Sequence, residues 1–159
     1  MLEVQLLLLI GVANGVPVVI TKIFGAVWAL PLDGNHDFID HRPVLGPSKT
    51  VRGVVFSILF TVICAPLIGL HWHIGFLTAV SAMAGDLFSS FIKRRCGMPS
   101  SSMALGIDQV PESLFPMLAA HYVLDVPWHG VVAVTVSFFI LELALSKILY
   151  RLRIRNEPY

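Results

Sequence analysis

The run Gly85-Asp86-Leu87-Phe88-Ser89-Ser90-Phe91-Ile92-Lys93-Arg94-Arg95 closes an apolar stretch that opens at about Ile74. It places one carboxylate, Asp86, inside that stretch. Three cations, Lys93, Arg94 and Arg95, follow where the stretch would leave hydrocarbon. Charge inside a bilayer is costly, and where it occurs it usually serves function. On a helix Asp86, Ser90, Lys93 and Arg94 stand at i, i+4, i+7 and i+8, one face. Asp86 then lies about 10 Å below Lys93 along the axis. A carboxylate, a hydroxyl and cations on one face form the donor set that a phosphate with a divalent metal requires. The plainer reading is a structural aspartate neutralised by its own lysine or arginine.

Working outward, the 159 residues are 56% hydrophobic and 13% charged, with mean hydropathy +0.80. A soluble domain carries about 25% charged residues, so the composition specifies an all-α, polytopic membrane helix bundle. It forms a single domain over residues 1–159. Five apolar spans are expected, about Leu2–Leu30, Gly53–Leu70, Ile74–Ile92, Ser113–Val126 and Gly130–Leu149. The fourth is shorter than the roughly 20 residues of a spanning helix. Met1-Leu2-Glu3 lacks the positive start of a signal peptide.

Arg42, Lys49 and Arg52 separate the first two spans, Lys93–Arg95 follow the third, and Lys147, Arg151, Arg153 and Arg155 end the chain. His71-Trp72-His73 and Pro127-Trp128-His129 carry no Lys or Arg. Basic residues mark cytoplasmic connections, which gives an outside N-terminus and a cytoplasmic C-terminus. The two long connections, about Pro31–Arg52 and Lys93–Glu112, then share the cytoplasmic face. They hold most of the ionisable side chains, and long loops in compact proteins are usually functional or disordered. The net charge of +1 makes no case for nucleic acid as a partner. Cys64 and Cys96 read as packing residues or free thiols.

Further residues carry chemistry. Asp108 offers a second carboxylate, or a helix N-cap. Two carboxylates from separate segments suit Mg²⁺, which takes hard oxygens and shares its shell with substrate phosphates. Leu45-Gly46-Pro47-Ser48-Lys49-Thr50-Val51-Arg52-Gly53 enters the second span. Ser48 or Thr50 would cap that helix. Lys49 and Arg52 beside its N-terminus make an anion site, or serve as topology signals. Asp33, Asp37 and Asp40 bind metal, orient Lys49, or lie in a solvated turn. Asn14, near Pro17, marks either a broken helix shaping a lipid-phosphate cavity or a tight crossing with Asn14 bonded to a neighbour. Gly75, Thr78, Ala82, Gly85 and Ser89 form a small-residue seam for close helix packing. Glu142 in the last span needs a partner or a proton.

The elements Asn14-Gly15-x-Pro17, Pro31-Leu32-Asp33, Leu45-Gly46-x-x-Lys49-Thr50-x-Arg52-Gly53, Gly85-Asp86-x-x-x-Ser90-Phe91-x-Lys93-Arg94-Arg95 and Asp108-Gln109 together resemble the CDP-archaeol synthase family. Those enzymes are small relatives of the CTP:phosphatidate cytidylyltransferases, and the resemblance covers nearly the whole chain. The segment Gly97–Gly106 lacks the glycine-rich proline-glycine-histidine element of the larger enzymes. What the resemblance implies is Mg²⁺-dependent transfer of a cytidylyl group from CTP to a lipid phosphate, with Asp86 and Asp108 as metal ligands. Asp86, Lys93, Arg94 and Asp108 are the expected catalytic set. Lys49, Thr50, Arg52, Ser90, Arg95, Gln109, Asn14 and Asp33 are the expected substrate contacts. The expected partners are CTP and a bilayer lipid phosphate, met at a cytoplasm-facing site in the inner membrane. A homo-oligomer is left open. The competing classes are a proton-coupled transporter using Asp86 and Glu142, and a scaffold subunit whose charge pairs only fix helix register.

Overall fold

In the computed structural model, the backbone is described for residues 1–151 and side chains for residues 1–147. Arg153 and Arg155, expected as topology signals, lie outside the described residues, as does the side chain of Arg151. Helices follow the order α1 (Leu2–Phe24), α2 (Val51–Leu67), α3 (Trp72–Arg95), α4 (Gln109–Leu124) and α5 (Trp128–Arg151). All five expected spans are present as helices. Three contain stretches long and apolar enough to cross a membrane: α1, α3 and α5 through Lys147. Helix α2 is apolar but shorter, and α4 has 16 residues.

Some ends differ from expectation for local reasons. Helix α1 stops at Phe24 because Gly25 turns to φ 52, a left-handed conformation that glycine tolerates. Thr50 caps α2, its hydroxyl accepting from the Gly53 amide at 3.1 Å. Helix α4 starts at Gln109, several residues early, and carries a polar first turn into the bundle. Asp108 occupies its N-cap position without a side-chain cap bond.

The bundle buries polar side chains beside its apolar core and turns apolar ones outward. Ser57, Thr61, Ser89, Ser90 and Ser113 are buried, while Val18, Val19, Ile23, Val55, Leu59, Ile63, Val132 and Leu141 are exposed. Lipid tails are as apolar as leucine, so helices associate through close backbone approach and internal hydrogen bonds. Two glycines set the crossings. A Cβ on Gly75 would stand 2.7 Å from the Thr61 carbonyl oxygen of α2. A Cβ on Gly85 would stand 2.1 Å from the Pro111 carbonyl oxygen of α4. The seam expected on α3 therefore packs α2 with one end and α4 with the other, and Gly75, Thr78, Ala82, Gly85 and Ser89 are all buried. An apolar cluster of Leu6, Ile10, Met117, Val126, Val131, Val134 and Phe138 joins α1, α4 and α5.

Pro17 does not break α1. Proline lacks the N–H that would bond the carbonyl four residues earlier, here Ala13. The Ser57 hydroxyl of α2 donates to that oxygen at 2.7 Å. Asn14 bonds the Ile10 carbonyl of its own helix at 3.1 Å rather than a neighbour. Neither expected reading of this segment holds whole: the crossing with α2 is close, but Ser57, not Asn14, makes the bond across it.

Two packing predictions follow from these contacts. Ser57→Ala orphans the Ala13 carbonyl and lowers stability by roughly 1 kcal/mol, read by thermal unfolding in detergent. Gly85→Ala pushes Pro111 away and costs about 1–3 kcal/mol. A Gly85→Ala melting temperature equal to wild type would contradict the close α3–α4 crossing.

Candidate functional site

The site forms where α3 and α4 cross and the connection between α1 and α2 folds over them. That connection is ordered by its own backbone. The Leu32 amide donates to the Lys49 carbonyl at 2.7 Å, and the Val51 amide to the Leu30 carbonyl at 3.0 Å. Isolated bridges pair Pro31 with Thr50 and Asp37 with Pro43. Lys49 thereby reaches α3, and its Nζ lies 2.5 Å from Asp86 Oδ1. The Gly85 crossing sets Glu112 of α4 beside Asp86. Glu112 is 8% exposed, and the charge of Glu142 on α5 also reaches it. Glu142, puzzling in the sequence, is thus electrostatically linked to Glu112. Lys49 meets Asp86 of α3 directly and acts on Glu112 of α4.

Asp108 occupies a separate ion pair. Its Oδ1 lies 2.6 Å from Lys93 Nζ, and its Oδ2 accepts from the Ala104 amide at 2.9 Å. Lys93 also donates to the Ser102 carbonyl at 2.9 Å. Asp86 and Asp108 thus each face a cation, but a different one. Among the described residues, no three His, Cys, Asp or Glu side chains converge to hold a metal unaided.

Other expected site residues hold the two long connections together. Asp33 accepts from the Leu45, Gly46 and Asn35 amides. Burial opposes charge on Asp33, but those amide bonds outweigh it and keep its pKa below the usual aspartate value. Arg52 donates to the carbonyls of Val27 and Gly25, fastening the end of α1. Arg95 pairs with Asp40 at 2.8 Å, donates to the Arg42 carbonyl, and lies over the rings of Phe38 and Phe91. Arg42 in return donates to the Arg95 carbonyl at 2.7 Å. Thr50 is the α2 cap described above. Ser90 is buried beside Lys93 on α3. Gln109 accepts from the Gly106 amide at 2.8 Å, and its side-chain amide nitrogen is buried without a partner. Asn14, bonded within α1, makes none of the contacts of this centre.

A cleft of about 310 Å³ opens between the two loops, lined by Arg42, Gly46, Arg94, Gly97, Pro99 and Ser100 among others. Arg94 donates to the Pro99 carbonyl at 2.7 Å, while its Nε has no hydrogen-bond partner. A Cβ on Gly46 would stand 3.1 Å from Ser100 Oγ, and Gly46 has φ +90. Glycine at this position lets the loops meet.

The residue missed by sequence reasoning is Glu112, named there only as the end of the second long connection. Its signal was available: a Glu followed by a Ser opening an otherwise apolar helix.

Asp33 yields a pH prediction. Its depressed folded pKa makes its anchoring complete above the unfolded value and lost only as pH falls through the lower folded one. Asp33→Asn at neutral pH should speed amide exchange at Leu45 and Gly46 by about tenfold or more. Unchanged exchange would remove Asp33 as the loop anchor.

The comparisons with known proteins agree on one group. A family model described as CarS-like CDP-archaeol synthase matches residues 2–159. A CDP-archaeol synthase of Pyrobaculum arsenaticum is 33% identical over 153 residues, covering 93% of this chain and 92% of its own. One of Hyperthermus butylicus is 34% identical over 158 residues, covering 92% and 89%. A solved structure described as an intramembrane enzyme for archaeal membrane lipid biosynthesis superimposes with TM-score 0.73 at 27% identity, over 89% of this chain and 90% of that one.

Proposed function

The chain belongs to the CDP-archaeol synthase family, and from that premise we propose that it transfers a cytidylyl group from CTP to a membrane lipid phosphate. The products are a CDP-lipid and pyrophosphate. The observation that carries this reading is Asp86, held between a loop cation, Lys49, and a second buried carboxyl, Glu112.

A lipid phosphate monoester is anionic near neutral pH, so its oxygen needs no strong base. It attacks the α-phosphorus of CTP, and the bond from that phosphorus to the β-phosphate bridging oxygen breaks. Pyrophosphate leaves with the electron pair. The difficulty is electrostatic: two anions must meet and a third must depart. Lys49, Lys93 and Arg94 offset that charge and orient the phosphates. Ser90 hydrogen-bonds a phosphate oxygen. In this proposal Gln109 offers its unpartnered amide to the nucleotide. Thr50, Arg52, Arg95 and Asp33 act through the loop that carries Lys49, which their contacts fasten.

Mg²⁺ fits the donors present. The site is rich in hard oxygens and already holds cations against both aspartates. Among the described residues it lacks a full set of protein ligands, as suits an ion that takes one or two carboxylates and completes its shell with substrate phosphate and water. Asp86 and Asp108 are the carboxylates we assign to it, with Glu112 beside Asp86. When bound, the metal would supply charge to the phosphate oxygens.

We also infer five crossings, an outside N-terminus and a cytoplasmic active site. The basic residues of both long connections support this orientation. Lipid tails then remain among the helices while the headgroup reaches the loop cleft. The relatives' name makes an ether-linked archaeol phosphate the first candidate lipid, and an ester-linked phosphatidate the comparison. The transporter reading finds no support. Asp86, Glu112 and Glu142 gather at one centre beside the loops rather than along a path across the bundle.

Asp86→Asn should cut CDP-lipid formation at least about a hundredfold, with membrane insertion intact. Radiolabelled CTP, Mg²⁺ and a panel of lipid phosphates provide the measurement. Near-wild-type turnover would remove Asp86 from the reaction.

A further inference from the structure

We propose that the Lys49 ammonium is the resident cation of the Asp86–Glu112 carboxyl pair, so that a divalent metal enters only in company with nucleotide. The inference deepens the function proposed above and rests on it.

Lys49 and Lys93 each neutralise an aspartate, but they are held differently. The Lys93 ammonium bonds both Asp108 and the Ser102 carbonyl, and both side chains of that pair are 9% exposed. It is locked in place. Among the described residues, the Lys49 ammonium has one hydrogen-bond partner, Asp86, and its side chain is 22% exposed. Its backbone is fixed by the Leu32 amide on one side and the Thr50 cap on the other. A fixed backbone with a long, singly bonded side chain lets the ammonium swing while its root stays.

The charges require such an occupant. The Gly85 crossing sets Glu112 beside Asp86, and Glu142 is a further carboxyl near them. Removed from water, a carboxylate such as Asp86 needs a cation beside it. Lys49 supplies one at 2.5 Å from Asp86 Oδ1, on the oxygen a metal would need. A metal arriving alone would displace the ammonium without offering it a new anionic partner. A metal arriving with a triphosphate brings the ammonium a new anionic partner. Lys49 would then turn from carboxylate to phosphate, leaving Asp86 and Glu112 to hold the metal, with the charges at the centre still offset.

The test uses Mn²⁺ as probe, read by electron paramagnetic resonance on the purified full chain in detergent. Turnover is not measured. Wild type should bind Mn²⁺ at least about tenfold more tightly with a non-hydrolysable CTP analogue than without it. Lys49→Met and Lys49→Gln should bind Mn²⁺ alone at least about tenfold more tightly than wild type. They should also lose most of the gain from nucleotide. Adding Asp86→Asn to either should abolish that binding. Lys49 variants that melt like wild type yet bind Mn²⁺ no more tightly would overturn the proposal and leave the metal reading standing. If neither variant folds, wild type decides: equal Mn²⁺ affinity with and without the analogue overturns it, and a tenfold or greater gain supports it. Absence of Mn²⁺ binding even with the analogue would overturn both this inference and the metal reading beneath it.

Discussion

A carboxylate taken out of water must be met by a cation, and in this chain that requirement ties loops to helices. Asp86 is met by Lys49 from the first long connection and Asp108 by Lys93 from α3. Neither pair is worth much as a source of stability, since desolvation of both partners offsets most of their attraction. Their importance lies in what breaking them would leave: an uncompensated charge inside a bundle. The connection from residues 25 to 50 is therefore not a free loop. It is drawn onto α3 by Lys49, folded by the Asp33 carboxylate, and fastened by the mutual hold of Arg42 and Arg95.

The second constraint is backbone proximity. Without a hydrophobic force between helices in lipid, association depends on how closely the chains approach. Gly75 and Gly85 permit contact distances that a methyl group would forbid. The Gly85 crossing does more than pack α3 on α4. It places Asp86, the next residue, against Glu112, the residue after Pro111. Packing and chemistry share one contact, so the acidic centre sits at a rigid point of the bundle, while the cations that complete it come from α3 and from an anchored loop.

Much of this was legible in the sequence. The apolar spans, the seam on α3, the Thr50 cap and the prominence of Asp86 follow from periodicity and from the cost of burying charge. Glu112 was not legible as a partner of Asp86, because periodicity describes one helix at a time and is silent about which faces meet. For Arg52, Arg95 and Asp33 the sequence displays charge but not the carbonyls and amides they meet in the folded chain. Pro17 signalled a break, yet Ser57 supplied the missing donor from another helix.

By itself the sequence determined a membrane-embedded helical chain with its ionisable groups gathered in two connections and the turns beside them. It also showed, through motifs spread along its length, the family to which the chain belongs. Only the tertiary structure decided which acid faces which lysine, and that Glu112 joins Asp86 while Asp108 stands apart. The physical reason is that hydropathy and helical period are properties of a single segment. Pairing depends on the crossing of two segments, which is set by the few ångströms that Gly85 leaves open against Pro111.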